Sequence, residues 1–196
     1  YGENIDNNTV VNFAYIGNIM LLILILITGI VSSVWPILIS IKIYSFSIIG
    51  ESFLSGGQVI PYILVAYVFY GFFVFQMPSI YIKNKQNWAP LLWGFGAIIN
   101  IVGNIILLPR LGYTGAAIST LLAYCVMSII LLYKNYSWLW IPYNFKLLFI
   151  SIMITLLQYF LFINSVLSIY KLMILGIYIL SMLALLFVVK NKKQAI

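Results

Sequence analysis

The chain has no histidine, one cysteine and three acidic residues, Glu3, Asp6 and Glu51, among 196 positions. Each scarcity removes a class of chemistry. General acid–base catalysis needs two titratable groups poised together, and the three carboxylates all lie in hydrophilic gaps with no two placed to work as a pair. No His/Cys/Asp/Glu cluster has metal-ligand spacing, and no nucleophile elbow or phosphate-cradling glycine loop occurs. The expectation is a protein that is not an enzyme and holds no cofactor or metal. Cys125 lies inside an apolar run, where it has no partner for an intrachain disulfide and reads as a small buried side chain.

Charge is the next scarcity. Only 7% of residues are charged while 64% are hydrophobic, and the mean hydropathy is +1.13. Soluble domains sit near 45–50% apolar and about 25% charged. A water-soluble fold of this composition has too little polar surface to cover itself, so lipid is the solvent for most of the chain. The net charge of +7 comes from ten Lys/Arg dispersed singly through the gaps. They form no basic stripe, which argues against nucleic acid and for topology signals and anionic headgroup contacts.

What is abundant is long apolar runs. About 20 residues, rising roughly 1.5 Å each, cross the bilayer core. Six runs qualify: residues 13–35, 59–81, 88–108, 114–133, 147–164 and 172–189. They are continuous rather than alternating and twice as long as barrel strands, so the fold class is an all-α integral membrane protein of about six transmembrane helices. Pro36 is expected to stop the first helix and Pro109 the third. Residues 36–58 form the longest non-spanning stretch, which either extends the first helix or lies along the membrane surface. The other connections are short and imply antiparallel packing of neighbours. The N-x-S/T sequons at Asn7 and Asn135 fall on the expected cytoplasmic side and read as chance.

Orientation follows from the cations. Lys83, Lys85, Lys134, Lys146, Lys190, Lys192 and Lys193 fall in the gaps of one side, and Lys42, Arg110 and Lys171 in those of the other. The denser side is expected to be cytoplasmic, with both chain ends there. Trp35, Trp88, Trp138, Trp140, Tyr113, Tyr136 and Tyr143 sit at run ends, as interfacial aromatic belts do. The chain begins at Tyr1 without the charged n-region of a signal peptide, and reads as a portion whose upstream part is missing.

Polar residues inside the runs are the candidates for function. Asn100 and Asn104, four apart, share one face of the third helix, and amides in hydrocarbon must face protein or a watery path. Their plain reading is helix–helix glue and their sharper one a substrate path. Gln76, two residues before Pro78, has the same two readings, as do Asn18, Gln158 and Asn164. Tyr67, Tyr70 and Tyr124 either fill a helix interface or stack on sugars from a cavity wall. Lys42 anchors the interface or attracts a lipid pyrophosphate.

The stretch from Asn100 through Asn104, Leu107, Pro109, Arg110, Gly112, Gly115, Ala116 and Ala117 to Thr120 resembles the polysaccharide (O-antigen) flippase family of the multidrug/oligosaccharidyl-lipid/polysaccharide transporter superfamily. Gly50–Phe53 (G-E-S-F), the following apolar run and the basic I-K-N-K-Q-N loop extend the likeness over residues 13–134. The resemblance implies most of one lobe of a two-lobed, alternating-access transporter in the bacterial inner (plasma) membrane. Residues 1–12 would be a cytoplasmic connection, residues 13–134 four helices of that lobe, and residues 135–196 two further helices with a basic tail. It further implies undecaprenyl-pyrophosphate-linked oligosaccharide as substrate, coupling to an ion gradient, and membrane lipids and other polysaccharide-assembly proteins as partners. Multidrug or organic-cation extrusion in the same superfamily, and a membrane glycan polymerase or glycosyltransferase, are the alternatives. A polymerase would carry a large outer loop with clustered Arg, His or acids, which the sequence lacks.

Overall fold

The computed structural model describes residues 7–40, 42–43, 46–47 and 56–194. It is an all-α fold with six helices long and apolar enough to cross a membrane. The helices are α1 (Asn7–Ser40), α2 (Ile60–Gln76), α3 (Pro78–Ile82), α4 (Trp88–Leu111), α5 (Tyr113–Trp138), α6 (Phe145–Asn164) and α7 (Ser168–Gln194). Between α1 and α2 lies a two-residue antiparallel ladder, β1 (Lys42–Ile43) against β2 (Phe46–Ser47).

Two expected helix stops are corrected. α1 runs through Pro36 to Ser40. Proline removes one ladder bond, yet a spanning helix tolerates it, and the apolar residues beyond continue the turn pattern. Pro109 likewise lies inside α4. That helix ends at Gly112, whose φ of 57° suits a residue without Cβ, and whose N–H reaches the Leu108 carbonyl at 2.9 Å. Arg110 occupies the last turn, where a cation complements the helix dipole. At the other end of α4 the reversal from α3 is made at Asn84, φ 52°, a residue type that accepts the left-handed region.

Packing begins with the α4–α5 hairpin. α5 buries a row spaced by four, Gly115, Ser119, Ala123, Met127, Leu131 and Asn135, which forms one ridge on the helix. Glycines on α4 receive it: Gly96 faces Met127 and Gly103 faces Ser119. Gly115 lies directly against the Leu107 and Leu108 backbone. α5 also packs along α2, which in turn packs on α1. α1 is flanked by α6 and α7, themselves a pair. One core forms around Leu21, Leu22, Ile25, Tyr143, Leu147, Tyr178 and Met182, a second around Phe73, Ile80, Leu92, Met127 and Leu131. Outward positions such as Ile98, Ile101, Ile105, Leu157 and Leu180 are exposed and aliphatic, as lipid-facing positions are.

Candidate functional site: a two-part groove and buried polar ties

α1, α2 and α6 enclose two open spaces. Toward the end of the bundle holding the α1 C-terminus, a cavity of about 700 Å³ is bordered by Thr28, Ser32, Trp35, Gln58, Tyr62, Thr155 and Tyr159 among others. It adjoins a second of about 600 Å³, bordered by Leu21, Ile25, Val68, Phe69, Phe72, Phe145, Leu148 and Phe149. Thr28, Val65, Thr155 and Leu156 border both, so the two are halves of one groove. One half carries hydroxyls and an amide; the other is a wall of hydrocarbon and rings.

The groove closes at its apolar end because α2 and α6 are tied there. The Tyr143 hydroxyl donates to the Phe75 carbonyl at 2.7 Å, and Phe72 meets the rings of Tyr143 and Phe145 at 5.4 and 6.2 Å. Tyr143 lies between spans; burial pushes its phenol pKa up, so the hydroxyl stays a donor at physiological pH. Gly17 makes room for this ring, and Asn18 Oδ1 accepts from the Asn144 backbone N–H at 3.0 Å. At the wider end, Gly57 lets the Trp35 indole lie against the start of α2.

Behind the groove, further polar groups join α1, α6 and α7. Gln158 donates through Nε2 to Ser33 Oγ, which donates to the Gly29 carbonyl at 2.9 Å. Tyr178 donates to the Ile25 carbonyl at 2.9 Å and lies 3.1 Å from Thr155 Oγ1. Gly29 is where the Tyr178 ring approaches the α1 backbone. Gln158 Oε1 is buried without a partner among the described residues.

The other sequence candidates fall into place as helix ties. Asn104 donates to Asn100 Oδ1 at 3.0 Å, and Asn100 donates to Thr120 Oγ1 at 3.1 Å, so the pair joins α4 to α5. Gln76 is fully buried and donates to the Phe72 and Ser128 carbonyls at 3.2 and 3.3 Å. Pro78 breaks the ladder beside it. The Gln76 carbonyl, freed from the helix, accepts from Asn135 Nδ2 at 3.2 Å and from Ser79 Oγ at 2.7 Å, and Ser79 also contacts Asn135 Oδ1. Among the described residues Asn164 bonds only its own helix, at the Phe160 carbonyl. Tyr70 belongs to a ring cluster with Tyr67, Tyr124 and Trp93 on the α2/α4/α5 face. Lys42 lies in β1; its side chain, like residues 50–53, is outside the described residues.

No family model, curated protein or solved structure matches this chain. The groove residues are therefore read from their own chemistry. Sequence reasoning passed over Thr28, Ser32, Thr155 and Tyr159, although Thr28/Ser32 and Thr155/Tyr159 are each spaced by four within a span. It also passed over Ser79 and took Asn135 only as a sequon. Both hold the α2–α3 break.

Proposed function

We propose that this chain takes part in moving an undecaprenyl-pyrophosphate-linked oligosaccharide, an O-antigen or capsule repeat unit, across a bacterial inner membrane. The observation that carries this reading is the groove: two adjoining spaces between α1, α2 and α6, one apolar and one hydroxyl-bearing. An amphiphile with a long hydrocarbon chain and a polar head matches that division. The apolar half accepts hydrocarbon without burying any polar group. Thr28, Ser32, Gln58, Thr155 and Tyr159 offer hydrogen bonds where the head would lie.

The resemblance of the Asn100–Thr120 stretch supports the same reading, because its residues have structural work in common. They form the α4–α5 hairpin through Asn100–Thr120, the Gly112 turn and the Gly115 contact. In this reading the lysine-rich end is cytoplasmic and the hydroxyl-bearing half opens toward the outer leaflet. An organic-cation extruder would be expected to place a carboxylate in its path, and among the described residues none that borders the groove is acidic.

The test is genetic. Deletion of the gene is expected to accumulate lipid-linked repeat units on the inner leaflet and to strip glycan from the cell surface. Normal surface glycan in the deletion strain refutes the proposal.

A further inference from the structure

On the opposite side of α2 from the groove, three tyrosines and a tryptophan gather on one face. Tyr67 and Tyr70 come from α2, Trp93 from α4 and Tyr124 from α5. Their rings touch in sequence: Tyr67 and Tyr124 at 6.2 Å, Tyr124 and Tyr70 at 5.0 Å, Tyr70 and Trp93 at 6.0 Å. Tyr67 is 52% and Trp93 44% exposed, while Tyr70 and Tyr124 are half-buried.

Their depth is what demands explanation. Interfacial belts collect Tyr and Trp at span ends, where the polar tip meets water. Tyr67 and Tyr70 instead lie near the middle of the span Gly56–Ile82, and Tyr124 near the middle of Tyr113–Trp138. Among the described residues, none of the three hydroxyls has a hydrogen-bond partner. A face meant for lipid looks different: farther along α4 the exposed residues are Ile98, Ile101, Val102 and Ile105. Phenol hydroxyls left in hydrocarbon are unfavourable, so this face meets something that bonds hydroxyls.

We propose that Tyr67, Tyr70, Tyr124 and Trp93 form a carbohydrate-stacking wall, which takes the C–H face of pyranose rings on the aromatic rings and their hydroxyls on the tyrosine hydroxyls. The inference rests on the oligosaccharide reading above and assigns its sugar portion to a surface separate from the groove. An organic cation would use the ring faces alone. It would leave the hydroxyls unpartnered and would find no acid on α2, α4 or α5.

The test uses the full chain in phospholipid nanodiscs, with an N-acetylhexosamine tetrasaccharide as probe and saturation-transfer NMR on the sugar protons as readout. The wild type is expected to transfer saturation to ring C–H protons, and a Tyr67→Leu/Trp93→Leu variant to fall to the level of empty nanodiscs. A Tyr67→Phe/Tyr124→Phe variant keeps the rings and the fold; it is expected to bind about five-fold more weakly for each hydrogen bond lost. Absence of transfer in the wild type, or unchanged affinity in the Phe variant, overturns the proposal. So does tetraethylammonium binding at the wall when the sugar does not bind. Sugar binding that persists while gene deletion leaves surface glycan normal keeps the wall and removes only the transport reading.

Discussion

Gly115→Ala probes the α4–α5 hairpin most directly. A Cβ built at this position lies 2.5 Å from the Leu107 carbonyl carbon and 2.9 Å from the Leu108 nitrogen, both backbone atoms that no rotamer change can move. Ordinary contact begins at 3.4 Å, so α5 must withdraw from α4 by about 0.9 Å at this point. About half that shift, transmitted to the next turn, stretches Asn100–Thr120 from 3.1 Å beyond hydrogen-bonding reach. Overpacking of this kind costs about 1–3 kcal/mol. Loss of the interhelical bond adds about 0.6 kcal/mol, the average found for such bonds in membrane proteins. Alanine's better helix propensity returns at most about 1 kcal/mol. Gly176→Ala on α7 is the control, since a Cβ there meets nothing within 4 Å and only the propensity gain remains. Equilibrium unfolding by SDS in mixed micelles, followed by tryptophan fluorescence, should place Gly115→Ala about 2–4 kcal/mol below Gly176→Ala. Unfolding free energies within about 0.5 kcal/mol of each other would refute the close-approach argument.

Asn135→Leu removes the donor that reaches the Gln76 carbonyl at the α2–α3 break, and should destabilise the chain by about 1–3 kcal/mol in the same assay. A neutral result would mean that Ser79 alone satisfies that carbonyl. The double variant Asn100→Leu/Asn104→Leu should impair glycan export or lower the folded protein level, because it cuts the side-chain tie between α4 and α5. Unchanged export and unchanged level would reduce this face to tolerant packing. For orientation, Cys125 is first replaced by Ala and single cysteines are placed at Lys134 and Tyr113. Intact cells should admit a membrane-impermeant maleimide at position 113 and protect position 134; the reverse pattern would invert the topology.

The spans were legible because hydropathy over 20 residues is a bulk property that no single side chain overturns. Their ends were less so. Pro36 and Pro109 read as stops, but in a lipid-embedded helix a missing N–H bends or weakens the ladder without ending it. Gly112 stops α4 through its positive φ, a backbone property that glycine permits and does not announce. Partner choice was harder again. Short connections pair α4 with α5 and α6 with α7. The contacts of α5 with α2, and of α1 with α6 and α7, join residues far apart in sequence. The hydrogen bonds that fix them come from Gln76, Asn135, Gln158 and Tyr178, whose polar tips mark a tie without naming its partner. Gln158–Ser33 and Asn135–Gln76 link positions 125 and 59 residues apart, and no local pattern foretells either.

The placement of these ties explains why the groove lies where it does. Tyr143–Phe75, Asn144–Asn18 and the Phe72–Phe145 ring contact all lie at the lysine-rich end, so α2 and α6 are drawn together only there. Farther along, α6 turns its polar groups to α1, through Gln158–Ser33, and to α7, through Thr155–Tyr178. Among the described residues nothing of that kind reaches α2. Thr155 and Leu156 are left facing Val65 across open space, with Thr28 as part of the floor. The groove is thus the remainder after α6 has committed its hydrogen bonds to α1 and α7. A side chain that gave α6 a bond to α2 in the wider half, such as Val65→Gln opposite Thr155, would be expected to narrow the space that the proposed lipid-linked substrate requires.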